Sequence, residues 1–144
     1  MFAGRLLAAL AGAALTGAGA APVAPPACPK ALAQVGPPDD VRINAIRGYR
    51  NWHNPTVIAD TDGYLIILDG DGWSHRGLTL SQVRTRLLAL PATAWPLGRV
   101  VGGTVASIGS GPPEGEFARR YRRLVELRTA LERLCVRLDE WTSM

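Results

Sequence analysis

The sequence predicts an α+β domain, a small mixed sheet of three to five strands packed on two helices, the C-terminal helix long and amphipathic. Three observations carry that reading. Two apolar runs, Thr56–Ala59 and Tyr64–Leu68, flank Asp60-Thr61-Asp62-Gly63, the pattern of a β-hairpin around an Asp-Gly turn. Thr79 and Gln82 have the spacing of a capping box ahead of an apolar-periodic segment. Leu124, Leu127, Leu131, Leu134, Leu138 and Trp141 recur at intervals of three and four, one face of a helix.

The elements follow in chain order. Residues 1–20 place Arg5 before an apolar run from Leu6 to Leu15 and end in Ala18-Gly19-Ala20. That is the plan of a secretory signal peptide cleaved after Ala20. Residues 21–40 are rich in Pro and Ala and read as a leader with little structure. The domain then spans 41–144, with order beginning near Val41. Val41, Ile43 and Ala45 alternate with Arg42 and Asn44, a period of two that predicts a strand. Tyr64–Leu68 is apolar throughout, so this strand is expected to be central and covered on both faces. Asp69-Gly70-Asp71-Gly72 closes it with a turn.

The capping box sets a helix at about 80–89, with Leu78 and Val83 as a hydrophobic staple. Pro91 disfavours helix beyond Leu90. Arg99–Ile108 reads as strand, with Gly102-Gly103 either a two-residue turn or a kink within it. Residues 109–115 are Gly/Pro-rich loop. The last helix runs from about 115 to at least 134, and Phe117 extends its leucine stripe backwards. Val136 and Leu138 alternate, so 135–141 fits either continued helix or a final strand.

An exported chain folds in an oxidising space, and its two cysteines, Cys28 and Cys135, are then expected to pair. The bridge would close a loop of about 107 residues. That is worth about 4–5 kcal/mol in the chain-entropy account. The same spacing excludes a CxxC metal or redox motif. No apolar run reaches the roughly 20 residues of a membrane span, so none is expected after signal removal. The net charge of +4 rests almost wholly on Arg, Lys30 being the only Lys. A balance this small suits a soluble domain, with some preference for an anionic surface, and does not argue for nucleic acid.

Candidate chemistry is sparse. Asp60 and Asp62 follow an apolar strand in an Asp-x-Asp-Gly pattern, which resembles the first motif of haloacid-dehalogenase-type phosphatases. That resemblance implies a small Mg²⁺-dependent hydrolase with Asp60 as nucleophile and Asp62 as acid/base. Tyr64 stands where the family has Thr, and the chain has no later Lys. The repeat of Asp-x-Asp-Gly at 60–63 and 69–72 invites calcium, but the EF-hand positions fall on Tyr64, Leu65, Trp73 and Ser74. His53 and His75 are the only histidines, and His75 lies near Asp69 and Asp71 in sequence. No catalytic triad, metal set or cofactor motif is assembled from these residues.

Two segments suit contact with a partner. Tyr49, Arg50, Trp52 and His53 combine stacking and cation–π groups. Arg119, Arg120, Arg122 and Arg123 form a basic run on the last helix that suits lipid phosphates or an acidic partner. From Asp62 through Leu90 the chain resembles the periplasmic domain of ExbD/TolR-type proteins. In both, an Asp-Gly turn, an apolar strand, a polar turn and a helix precede a valine-rich strand and a last helix. The resemblance implies a protein-binding or scaffolding domain; the family's membrane helix with its functional Asp has no counterpart here. The expectation is a periplasmic or secreted, non-enzymatic interaction domain, monomeric or weakly oligomeric, whose partner is an unknown protein or envelope component. The alternatives are the Asp60/Asp62 hydrolase and an inhibitor or immunity-like protein.

Overall fold

A computed structural model of the chain describes residues 28–69, 75–106 and 114–141. Strand β1 (Thr56–Asp60) turns through Thr61 and Asp62 into the antiparallel β2 (Gly63–Ile67). Gly63 makes the turn possible. Its φ is 142°, and an added Cβ would stand 2.6 Å from the Leu78 carbonyl oxygen. Leu78 ends β3 (His75–Leu78), which pairs antiparallel with β2 through a bulge between Tyr64 and Ile66. The sequence reading has no strand here, only the turn that begins at Asp69. Residues 70–74 of that turn lie outside the described residues, as do the signal peptide, the first part of the leader and residues 107–113 of the Gly/Pro-rich loop.

Helix α2 (Leu80–Leu88) starts on the expected capping box. Gln82 N donates to Thr79 Oγ1 at 3.2 Å, and Thr79 N donates to Gln82 Oε1 at 2.9 Å. Leu78 and Val83 are both buried, as a staple requires. Strand β4 (Val100–Val105) runs straight through Gly102-Gly103, so neither a turn nor a separate hairpin forms there. The pair has a packing reason. A Cβ on Gly102 would lie 2.7 Å from the Trp141 ring and 3.0 Å from Trp52 Nε1, and one on Gly103 would collide with Leu138. The two glycines let large side chains lie directly on opposite faces of the strand.

The long helix α3 (Glu114–Glu132) stops two residues short of its expected end. Cys135 then sits at φ 60°, and the chain enters β5 (Arg137–Glu140), a parallel neighbour of β4. Of the two readings of 135–141, the strand is the one that forms. Val136 and Leu138 are buried, whereas Arg137 and Asp139 between them are not. The sheet order is β3-β2-β1-β4-β5, so β2 is interior but β1 holds the middle.

Two expectations for the N-terminal part are corrected. Residues 40–45 form a short helix, α1 (Asp40–Ala45), not a strand. Asp39 Oδ1 caps it by accepting from Arg42 N at 3.1 Å, and this turn chemistry outweighs a two-residue alternation that one helical turn satisfies equally well. Val41 is 83% exposed, while Ile43 and Ile46, three apart, pack inward. Order also begins before Val41. Residues 30–32 make a 3₁₀ turn, and Leu32 and Val35 belong to the main core. This stretch makes no local ladder; Arg99 holds it, donating to the Val35 carbonyl at 2.8 Å.

Alternation along β4 divides the interior. Val101 joins the large core under α2 and α3, with Val57, Ile66, Leu87, Leu127 and Leu131. Val100 joins a smaller core on the other face, with Trp52, Leu97, Ile43, Ile46 and Trp141. Cys28 and Cys135 form the expected disulfide, with Cα atoms 5.3 Å apart. The bridge joins the first described residue to the turn between α3 and β5.

Candidate functional site

The first predicted surface is only partly a surface. Residues 49–51 form a 3₁₀ turn, and Arg50 is exposed. Trp52 is buried: its ring meets Trp141 edge-on, centroids 4.9 Å apart and planes at 89°. It is therefore a core residue, not a contact residue. His53 points to solvent, and its Nδ1 lies 2.7 Å from Asp69 Oδ2. The sequence reading set Asp69 beside His75 instead. Hairpin register explains the difference: Thr56 pairs with Ile67, so extending the ladder outward brings residue 53 to the neighbourhood of 69.

The His53–Asp69 pair lines a cleft of about 290 Å³ with Pro55, Leu68, Pro91 and Thr93. A neighbouring cleft of about 230 Å³ holds His75 and Arg86 and shares Leu68 and Leu90 with the first. Asp69 engages Nδ1 of the His53 ring. Both side chains are more than half exposed, so the contact contributes little stability.

The Asp60/Asp62 motif is taken up by the fold. Asp60 Oδ1 accepts from Thr61 N at 2.7 Å and lies 3.3 Å from the Arg120 guanidinium. Arg120 also donates to Thr61 Oγ1 at 2.9 Å and to the Ala106 carbonyl at 3.1 Å. Its side chain is only 11% exposed. So Arg120, predicted on the partner surface, instead clips α3 to the β1–β2 turn and to the end of β4. Among the described residues, no group of three or more His, Cys, Asp or Glu side chains is placed to hold a metal ion.

The other arginines of the run differ from Arg120. Arg119 and Arg122 are exposed, and Arg123 is half-buried. Among the described residues no carboxylate lies within ion-pair distance of any of these three. The Arg123 carbonyl accepts from the Tyr64 hydroxyl at 2.8 Å. Burial pushes the Tyr64 phenol up to about 12; Glu126 adds to the rise and Arg123 opposes it.

The same helix carries a feature that the leucine count hides. Phe117, Tyr121 and Val125 are 52%, 46% and 38% exposed. The two rings are stacked, centroids 6.3 Å apart and planes at 14°. A spacing of four carries each residue about 40° further round a helix of 3.6 residues per turn. The row therefore drifts off the core stripe, whose fully buried members begin at Leu124. Phe117, expected as the start of that stripe, belongs to the exposed row. Arg128, seven residues after Tyr121 and on the same side of the helix, pairs with Glu140 of β5. The row thus faces the β5 edge of the domain, away from α2. An i, i+4, i+8 pattern of apolar residues was the signal for it, separable from the leucines only once their face is known.

Comparison of the chain with protein-family models, with curated proteins and with solved structures returned no match.

Proposed function

We propose that this chain is an exported, non-enzymatic interaction domain whose contact surface is the outward face of α3. The observation that carries the reading is the exposed row Phe117–Tyr121–Val125, with its two rings stacked. Folding alone gives no reason for two stacked aromatic rings and a valine to remain in water, and such patches mark binding surfaces. The disulfide supports export. The resemblance of residues 62–90 to the ExbD/TolR periplasmic domain is in keeping with a binding or scaffolding role.

The hydrolase alternative fares less well. Asp60 is held by Arg120 and by the turn, leaving it little freedom to attack or to bind Mg²⁺. Envelope fractionation tests the preferred reading. The wild-type chain should travel with envelope membranes. A Phe117→Asp/Tyr121→Asp chain, with disulfide and circular dichroism intact, should remain in the soluble fraction. Equal partitioning of the two would refute the assignment of this surface.

A further inference from the structure

We infer that an extended, alternately apolar segment of a partner protein adds to the β5 edge as a further strand and lays its side chains against Phe117, Tyr121 and Val125. The inference rests on the interaction reading above and names the kind of partner. Two features at one edge of the domain carry it.

The first is backbone. β5 ends the sheet, and β4 is its one strand neighbour among the described residues. Arg137 N donates to the Arg99 carbonyl at 3.0 Å, and Trp141 N to the Gly103 carbonyl at 2.8 Å. Main-chain groups alternate sides along a strand, so Leu138 and Glu140 turn theirs outward, away from β4. An edge of this kind is a template for another strand.

The second is the apolar row. Arg128 pairs with Glu140, which fixes the level of α3 against the end of β5. β4 and β5 are parallel and α3 crosses back between them, so helix residues before Arg128 stand beyond the C-terminal end of β5. At 1.5 Å per residue, Val125 lies about 4–5 Å beyond that level and Phe117 about 16 Å. Successive members of the row are about 6 Å apart along the helix. Alternate side chains on one face of a strand are about 6.7 Å apart. One face of an extended chain therefore meets all three.

One partner class satisfies both features. An extended segment bonds through its main chain to Leu138 and Glu140 and places apolar side chains on the row. About nine residues span β5 and the stretch out to Phe117. A second copy pairing through its own β5 is a poorer occupant. That strand has 4 residues, so it would end level with β5 and leave Tyr121 and Phe117 in water. A bilayer would cover the rings but offers the strand edge no hydrogen-bonding partner in its apolar interior.

The test begins with selection from a displayed library of random peptides about twelve residues long, long enough to span the site. The bait is the full, oxidised chain, and the Tyr121→Asp chain is the counter-selection. Enriched sequences are expected to be apolar at alternate positions. A synthetic copy of one is then N-methylated at alternate residues, in each of the two phases. The phase whose N–H groups face β5 should lose about tenfold in affinity, and the other should lose little. This comparison uses the wild-type chain throughout. Glu140→Pro removes an outward N–H without touching the β4 ladder and should weaken binding about fivefold. Glu140→Gln, which also gives up the Arg128 ion pair, should not. Circular dichroism and the intact disulfide establish that each variant is folded.

Apolar residues enriched at spacings of three and four would identify a helical partner and overturn the inference. N-methylation without a phase effect, or equal weakening by Glu140→Gln and Glu140→Pro, would overturn it too. No enrichment, with envelope association still abolished by the Phe117→Asp/Tyr121→Asp chain, would point to a lipid surface or a second copy; the strand would fall and the interaction reading would stand. Failure of both experiments would bring down the two together.

Discussion

The two faces of the sheet are held by different physics. Under α2 and α3 the interior is aliphatic, and Leu87, Leu127, Leu131 and Val83 are each 1% exposed or less. Helical periodicity makes that core, and any similar leucine pattern would make a similar one. On the other face the apolar cluster is small, and polar side chains close the structure. Asn54 is 2% exposed and makes three bonds of 2.8 Å: it donates to the Gly98 and Val100 carbonyls and accepts from Leu97 N. Arg42 donates to the Pro96 carbonyl at 2.8 Å. Arg137 reaches Asp40 at 2.7 Å and Asp139 at 2.9 Å; the Asp40 hydrogen bond raises its pKa above the ordinary arginine value, with Asp139 assisting against burial. The lesson is one of specification. Area removed from water stabilises the helix side, whereas the opposite side depends on particular pairs far apart in sequence, each costly to break singly.

That contrast is open to attack, most forcefully at the disulfide. Replacing both Cys28 and Cys135 by Ser should lower unfolding free energy by about 4–5 kcal/mol. The denaturant midpoint measures it. Hydrogen exchange should then show residues 29–39 and β5 opening before α2 and β2. Uniform loss of protection would dissolve the distinction between the two sides. Next in size is Asn54→Ala, which strands three buried backbone groups and should cost about 2–4 kcal/mol. A loss under about 1 kcal/mol would mean that those groups find other partners and that the polar hub is dispensable.

The smallest effect lies on the helix side and is read by pH. The folded-state pKa of Tyr64 is raised from 10.0 to about 12, so the folded protein holds a proton there that the unfolded chain releases. Stability from this group is fully present below pH 10 and falls as pH rises through about 12. Tyr64→Phe should flatten that alkaline decline relative to wild type, seen as midpoints measured along a pH series. An unchanged slope would show that the buried Tyr64 phenol does not account for the alkaline decline.

What could be read without coordinates was local. The Asp60–Gly63 hairpin, the Thr79–Gln82 box and the leucine stripe each lie within a few residues of chain. The pairing of Cys28 with Cys135 was legible because only two cysteines exist. The misses share one cause. Six residues at 40–45 satisfied two periodicities, and only the Asp39 cap chose helix. His75–Leu78 has no β signature of its own and becomes a strand because β2 offers it an edge. Trp52 looked like a ligand-binding aromatic until Trp141, 89 positions later, was found against it. Asn54 carried the letters of a turn and became the most fully bonded polar side chain of the interior.

By itself, then, the amino-acid order determined the α+β class, the main helices and hairpin, and the partner of each sulfur, since those follow from spacing within one turn, one ladder or one pair. Only tertiary structure decided which arginine is a clip and which is free, which aromatic is core and which meets solvent, and which carboxylate holds His53. Burial and long-range geometry set these roles. Residues with the same chemistry and nearly the same neighbours in sequence, such as Arg120 and Arg122, acquire opposite environments from a rotation of two helical positions: one bonded into the fold, the other exposed.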